Sequence, residues 1–485
     1  MMTLRSIFSF TLLATPAVSS PLSVPSYFQS DHLTRREVPV FQIQQELGSL
    51  LSENSLVLLP SNPLWLNTTK RCNTMAPPDI KVVVQPANEV DIPKIVSPCF
   101  MAINFLVVNR GHGLTKSLGA FKGMQIDMKQ LRSMDIARDG KSAWFQGGAY
   151  AYEVIPFLWD RGYVASTGSN QCVGLTGPAL GGGHGRYEGL YGLAGDNIIE
   201  MKVVLADGSN ITVSEKSNKD LFWAMRGAGH NFGIVTNLRL KIYPAKIKTW
   251  HYHNYYWRQD KLETVFRELN KLQDDGKAPR LLGVVFGQIY IDPSIRRDEA
   301  ILWFTFAYAG PASEAERLLR PFNAIDAIKD EMGDVSYPEI PVRQNTDLSN
   351  CISARFSLAS VMLQTWNITT ERALYNHFMR NVALYPDLAV TARLYYEGFF
   401  ATVVPEGSNL LGPAEKWARE ARDMWYAGAP TRKPATYVNY ASGNKYESLK
   451  SIYGYESWRL ARLRKLKAKY DPDNRFRFYV PIVSD

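Results

Sequence analysis

Cysteine is scarce: Cys72, Cys99, Cys172 and Cys351 are the four in 485 residues. So few thiols exclude a small disulfide-built scaffold, and their spacing fits no zinc motif, so no metal site is expected. In an oxidising compartment Cys72 and Cys99 could pair across the first βα unit. Beyond the first twenty residues no apolar run approaches a membrane span. Internal repeats and low-complexity stretches are missing too. The familiar nucleotide signatures fail as well. Arg186 stands where a third fingerprint glycine would be needed, and no Gly-Lys-Ser/Thr follows, which disfavours a nicotinamide-binding Rossmann domain and a P-loop NTPase. Net charge is +9, but Lys and Arg are scattered except in the run Arg459–Lys469. That run reads as the solvated face of a helix whose apolar stripe is Trp458, Leu460, Leu463 and Leu466, so nucleic-acid binding has no other support.

Two glycine-lined turns carrying imidazoles are what the chain does have: Arg110-Gly111-His112-Gly113, and Gly181-Gly182-Gly183-His184-Gly185. Glycine permits positive φ and leaves amide N–H groups uncovered, which suits a nest for a flat, anionic ligand. The length predicts two or three domains, and 46% apolar with 21% charged residues describes ordinary globular ones. With 25 Tyr and 11 Trp, the aromatic share suits pockets for planar organic molecules. Residues 1–20 read as a secretory signal: a lone Arg5, an apolar core and a small-residue end. Sequons at Asn67, Asn210 and Asn367 agree with that, so the expectation is a secreted or secretory-pathway protein with possible N-glycans there.

Pattern predicts an α+β chain of many short strands. Strands are expected at 80–86, 105–108, 124–128, 143–148, 198–205 and 233–244, with a hairpin through Asp207-Gly208 to 211–214. Helices are expected at 88–100, 153–161 and 220–226. From 246 to 430 polar helices (260–275, 314–319, 370–380, 412–426) alternate with strands (282–289, 300–309, 389–400), which reads as an antiparallel sheet with helices on one face. Residues 38–245 read as a first domain, 246–430 as a second, and 431–485 as a return to the first.

Taken together, Gly181–Gly185, the stretch from Tyr191 to Ile198, the stretch from Asp220 to Gly227, Tyr437-Val-Asn-Tyr and the stretch from Lys469 to Phe476 resemble one family. Residues 76–245 are similar to the FAD-binding domain of the vanillyl-alcohol oxidase superfamily (the p-cresol methylhydroxylase, or PCMH, type). The end of the chain resembles the closing segment of berberine bridge enzyme-like oxidases. The resemblance implies a two-part PCMH-type FAD domain plus an antiparallel substrate domain. It implies a covalent bond from His112 to the flavin, with Arg110, Gly111, Gly113, Val173, Gly177, Gly181, Gly182, Gly183, Gly185 and Asn439 at the cofactor and Ile234 and Val235 at its adenine. Asn170 stands where some relatives carry a second, cysteinyl link. One link is therefore expected, with Cys172 a buried small hydrophobe; the alternative is a register shift that brings Cys172 to the flavin. Val173 resembles oxygen-reactive members.

His184, Tyr437, Tyr395 and Glu397 are the catalytic candidates. His184 is either a base or a satisfied turn residue. Tyr437 needs a nearby cation or an electron-poor ring to act as a phenolate. Strand alternation puts Tyr395 and Glu397 on one face and Tyr396 on the other, with the pocket side open. His230 reads as a packing or phosphate-side residue. The implied activity is hydride transfer from a small organic molecule, as a first choice a secondary-metabolite intermediate, to FAD that O2 reoxidises with release of H2O2. The rivals are a carbohydrate oxidase and a non-redox binding protein on the same fold.

Overall fold

Val82, Val83 and Val84, none with exposed surface, place the strand Asp79–Gln85 in the interior of the first sheet. The computed structural model describes residues 40–96, 103–443 and 446–482, with side chains from Ile43 onward. The expected secretory signal and Cys99 lie outside the described residues. The first sheet has four strands in the order Leu56–Leu58, Asp79–Gln85, Lys122–Asp127 and Phe105–Val108. The last three are parallel, and Leu56–Leu58 pairs antiparallel at the edge. Parallel strands present their carboxyl ends to ligands, and Phe105–Val108 runs straight into Asn109-Arg110-Gly111-His112.

Met134–Ile136, Ser142–Gln146, Ile234–Lys241, Ile198–Val204 and Asn210–Ser214 form a second sheet, antiparallel throughout. Met128, Val204 and Ile234 belong to the core that joins it to the first sheet. The end of the chain packs into the same half: Val438, Leu460, Leu463, Leu466 and Val480 share a core with Met201, Phe222 and Leu238. Trp458 is the exception to the expected stripe, being 51% exposed, while Lys467 inside the basic run has no exposed surface. The helix Ser457–Tyr470 buries Leu460, Leu463 and Leu466 as expected, and its inner face also takes in Lys467 and Tyr470.

A seven-stranded antiparallel sheet makes up the second half, in the order Lys329–Val335, Trp250–Trp257, Arg296–Tyr308, Phe286–Asp292, Arg393–Tyr395, Phe399–Val403 and Phe356–Ser360. Alternation divides its two faces. Ile289, Phe304 and Leu394 are buried under the helices Leu262–Gln273, Ala312–Asn323, Ile368–Leu384 and Leu411–Gly428. Their neighbours Gln288, Trp303 and Tyr395 look the other way, into a cavity.

One strand expected at 389–400 is instead the helix Pro386–Ala389 followed by two short strands, Arg393–Tyr395 and Phe399–Val403. Gly398 is the reason: its φ is +109°, and a Cβ there would lie 2.5 Å from the Val361 carbonyl oxygen. The chain doubles back there, and Gly398 N–H donates to Tyr395 O at 3.0 Å.

The cysteines also depart from expectation. Cys172 is not a lone hydrophobe but is bonded to Cys351, 179 residues away, with a Cα–Cα separation of 5.7 Å, and Cys72 is a free thiol. The bond ties the loop before Val173 in the first half to the loop before Phe356–Ser360 in the second. Among the described residues no helix is long and apolar enough to cross a membrane.

Candidate active site

A cavity of about 850 Å³ lies between the carboxyl end of Phe105–Val108 and the seven-stranded sheet. Arg110, Gly111, His112 and Gly113 line one wall, together with Val173, Gly177, His230, Ile234 and Val235. Tyr395, Glu397, His184, Tyr437, Asn439 and Tyr440 line the side facing the substrate sheet. Gly111 has φ +68°, and a Cβ there would sit 2.7 Å from Lys70 O, so only glycine turns the chain here. Among the described residues the amides of Gly111, His112 and Gly113 donate to no protein acceptor, the arrangement of an anion-binding nest. Arg110 lies over the Tyr150 ring at 4.0 Å. Burial holds the His112 imidazole down to a pKa of about 4, so it is neutral, with a nitrogen lone pair, at ordinary pH.

The second glycine run behaves differently from expectation. Of Gly181, Gly182, Gly183, His184 and Gly185, His184 alone lines the cavity. A Cβ at Gly181 would sit 2.3 Å from Asn439 Oδ1, at Gly183 2.8 Å from the Ala194 Cβ, and at Gly185 1.8 Å from Thr167 O. These glycines permit close packing of chain segments, so the cavity wall here is made by Gly177 and Pro178 instead. A Cβ at Gly177 would meet no atom within 4 Å, and the Gly177 carbonyl accepts from His230 Nε2 at 3.0 Å. His230 stacks on Tyr479 with ring centroids 4.5 Å apart.

At the substrate-side wall, His184 Nε2 lies 2.9 Å from Glu397 Oε1 and 3.0 Å from the Tyr440 hydroxyl, which itself donates to Glu397 Oε1. The hairpin tip at Glu397-Gly398 is what carries this carboxylate out of the sheet. Tyr396 points to the opposite face, as alternation requires, and donates to the buried Glu371 at 2.8 Å. Burial opposes charge on both His184 and Glu397, yet each overcomes it through the other: the imidazole pKa is raised and the carboxylate pKa is lowered. Tyr440 and Arg186 add to the hold on Glu397.

The Tyr437 oxygen accepts from Gly183 N–H at 2.9 Å and from Asn439 Nδ2 at 2.6 Å, and Asn439 Nδ2 also reaches Pro178 O at 3.1 Å. Burial nevertheless keeps the Tyr437 pKa above that of a free phenol, so it is a protonated hydroxyl at neutral pH. Tyr395 stacks on Phe399 at 4.5 Å, and burial raises its pKa as well.

Two contributors escaped the sequence reading. Tyr440 lay inside the quoted Tyr437-Val-Asn-Tyr motif, and its offset of three residues becomes a shared face only in the 3₁₀ turn Val438–Tyr440. Arg186, noted only as a missing glycine, is buried and donates to Ser169 O at 2.7 Å, Gln344 Oε1 at 2.7 Å and Thr346 Oγ1 at 2.8 Å, joining the two halves beside Glu397. Cys172 Sγ is committed to Cys351, so no register shift delivers it as a thiolate, and Asn170 lines the cavity in its place. Cys72 also lines the cavity, but burial raises its thiol to about 11 and leaves it inert at neutral pH.

A PCMH-like FAD-binding fold facing an antiparallel substrate sheet defines a flavin-dependent oxidoreductase. The FAD binding domain family model matches residues 80–214, and the model described as berberine and berberine like matches residues 436–482. The FAD-linked oxidoreductase iacH of Pestalotiopsis fici is 52% identical over 506 residues, covering 99% of this chain and 98% of that protein. The FAD-linked oxidoreductase OXR2 of Pyricularia oryzae is 44% identical, with 98% of each covered. This chain belongs to that family of berberine bridge enzyme-like, FAD-linked oxidoreductases. Among solved structures, a chitooligosaccharide oxidase superposes with a TM-score of 0.73 at 20% identity, covering 92% of this chain and 99% of that one. The glucooligosaccharide oxidase of Acremonium strictum, whose cofactor is described as 6-S-cysteinyl, 8α-N1-histidyl FAD, superposes with a TM-score of 0.71 at 21% identity, covering 91% of this chain and 99% of that one. At these identities the likeness is one of fold.

The cavity fits FAD. Asn109 Oδ1, Ser169 Oγ, Thr176 Oγ1 and His230 Nδ1 all belong to cavity-lining residues and are buried without a hydrogen-bond partner in the protein. Buried polar atoms are rarely left so, and a polar cofactor satisfies them. His112 and the Gly111–Gly113 amides add to that set of unpaired polar groups.

Proposed function

We propose that this enzyme is an oxidase that removes a proton and a hydride from a small organic molecule, with His112 as the single covalent anchor of FAD. Bound FAD supplies hydride acceptance and reoxidation by O2 to H2O2. The observation that carries the reading is the shared oxygen of Glu397, bonded by both His184 and Tyr440 at the wall of the cavity. The carboxylate accepts a hydrogen bond from His184 Nε2–H, which leaves the Nδ1 lone pair, free of any hydrogen bond among the described residues, to accept a proton from the substrate. Glu397 then stabilises the imidazolium that results, the division of labour of a carboxylate-oriented histidine base. Tyr440 keeps the carboxylate ionised and in place. Tyr437, a protonated phenol held by Gly183 and Asn439, can donate to an oxygen of the substrate. Trp303, Tyr290, Tyr395 and Phe399 give the cavity flat apolar walls, which suits a planar, aromatic or polycyclic donor such as a secondary-metabolite intermediate.

The neutral imidazole of His112 supports the covalent link, and Asn170 together with the Cys172–Cys351 bond supports its being single. Val173 at the cavity supports reaction with O2. The oligosaccharide oxidases among the superposed structures favour a second reading, a carbohydrate donor. We place the enzyme in the secretory pathway, with N-glycans at Asn67, Asn210 and Asn367, whose side chains are all exposed. Acid precipitation tests the anchor: the yellow chromophore stays in the pellet of the wild-type protein and is lost from that of His112→Ala. Yellow pellets from both would remove His112 as the anchor. Peroxide release on screening phenolic alcohols against oligosaccharides then separates the two donor classes.

A further inference from the structure

His251 and His253 lie two residues apart on the strand Trp250–Trp257, so alternation turns both imidazoles to one face. It is the face under the helix Ala312–Asn323, where Tyr255 and Phe322 share a core, and it lies on the far side of the sheet from the redox cavity. Glu316 of that helix reaches down between them, its Oε1 lying 2.7 Å from His251 Nε2 and 2.8 Å from His253 Nδ1. The outer nitrogens are also held. His251 Nδ1 lies 2.6 Å from Asp334 Oδ1 and His253 Nε2 lies 3.0 Å from Asp330 Oδ2, both on the edge strand Lys329–Val335. The two imidazole side chains are buried, 2% and 3% exposed, while the Glu316 side chain is 25% exposed. Asn323 Nδ2 donates to the second Glu316 oxygen at 2.7 Å, and the Tyr255 hydroxyl stands 2.9 Å from His253 Nδ1.

A neutral imidazole has one N–H. When Asp334 and Asp330 accept hydrogen bonds from those N–H groups, the lone pairs of His251 Nε2 and His253 Nδ1 both face the anionic oxygen of Glu316. Three electron-rich atoms so close together require positive charge among them. Outer carboxylates that fix the tautomer of two inward-facing histidines are the usual second layer around a bound metal.

We propose that His251, His253 and Glu316 form a binding site for a divalent transition metal of the zinc type, which pins the helix Ala312–Asn323 to the sheet edge, away from the flavin. Two imidazole nitrogens and one carboxylate favour zinc over the oxygen-loving calcium and magnesium. Bonds of about 2.0–2.1 Å at tetrahedral angles separate ligand atoms by about 3.3 Å, so Glu316 withdraws by about half an ångström to admit the ion. Its partial exposure leaves the fourth position to water. The cysteines, where a zinc motif would be sought first, take no part; the signal is His-x-His on a strand with a glutamate on the covering helix.

The test uses the flavin-loaded protein, stripped with a chelator, and zinc chloride alone as the probe in a calorimetric titration. Wild type takes up one zinc that His251→Ala and Glu316→Gln do not. Asp334→Asn, which keeps the ligands but loosens one, weakens the same site about 10–100-fold. Cobalt in place of zinc gives visible d–d bands in wild type that both ligand variants lack. Far-UV circular dichroism and the flavin spectrum check the fold of each variant, and Glu316→Gln preserves side-chain volume. Zinc uptake equal in wild type and both ligand variants would place the metal elsewhere. No uptake by the stripped wild type would mean that protons supply the charge, as paired imidazoliums, and either result overturns the proposal.

Discussion

Glu397 and His184 come from opposite halves of the chain and meet with Oε1 and Nε2 2.9 Å apart. Burial would lower the imidazole pKa, and the carboxylate reverses the sign and raises it above 6.5. If His184 is the base, turnover rises with pH as the imidazolium loses its proton, through a midpoint above 6.5. Glu397→Gln removes the main charge that opposes burial, leaving only the more modest pull of Glu188, and moves that midpoint to lower pH. It also lowers the plateau, by about 100-fold or more, because the imidazolium formed in the reaction loses its support. Stopped-flow reduction across pH reads both effects. A lowered plateau with an unmoved midpoint would reduce Glu397 to a packing role and remove His184 as the titrating base.

What the chain reveals locally was legible in its sequence, and what it assembles across distance was not. Strand Phe105–Val108 and the turn at His112 follow from an apolar run ending on glycines, a pattern read within a dozen residues. Alternation correctly separated Tyr396 from Tyr395 and Glu397, although the single strand that carried the argument is a hairpin bent at Gly398. The Cys172–Cys351 pair spans 179 residues, and no local pattern encodes such a closure. Gly181, Gly183 and Gly185 looked like ligand glycines because sequence shows that backbone is bare, not what approaches it. Here the neighbours are Asn439, Ala194 and Thr167.

Glu371 supplies a stability test that does not involve the flavin. It has no exposed surface, accepts from Tyr396 at 2.8 Å and Trp425 at 3.2 Å, and burial raises its pKa to about 8. In the unfolded chain the same group ionises near ~4.3. The folded form therefore holds a proton that the unfolded form has released between those values, and the stabilisation present below about pH 4 is lost as pH climbs towards 8. Glu371→Gln keeps an amide where the neutral acid stood and carries no such dependence. Its melting temperature relative to wild type should improve steadily from pH 5 to pH 8. A constant difference over that range would mean that Glu371 is ionised in the native protein.

The disulfide can be tested through the flavin domain it ties to the substrate sheet. Closing a loop of this length restricts the unfolded chain, and loss of a native disulfide costs about 2–5 kcal/mol. The double variant Cys172→Ser, Cys351→Ser should lower the thermal midpoint, and after reduction it should show two thiols fewer than reduced wild type. Because Gln171 N–H donates to Thr346 O at 2.8 Å and Arg186 bonds the same loop, the two halves should stay docked and the flavin spectrum should change little. A non-reducing peptide map without a Cys172–Cys351 crosslink would refute the pairing.

Lys467 and Lys465 sit two residues apart in one basic run and should respond oppositely to the same substitution. Lys465 is exposed, and Lys465→Met should change stability by no more than about 0.5 kcal/mol. Lys467 has no exposed surface and donates to Asp471 Oδ2 at 2.6 Å, Asn231 O at 2.6 Å and Phe476 O at 2.7 Å. Lys467→Met strands the Asp471 carboxylate in the interior, at a cost of about 3–5 kcal/mol. Asp471 also accepts from the backbone N–H groups of Arg475 and Phe476, each at 2.8 Å, so it cannot turn away to water without undoing the C-terminal turn. Adding Asp471→Asn to Lys467→Met should recover part of the loss, since an amide removes the unpaired charge while its oxygen can still accept from that turn. Urea midpoints of the four proteins decide the matter: equal shifts for the two lysine variants would show that the buried pair contributes nothing particular to holding the C-terminal segment against the FAD domain.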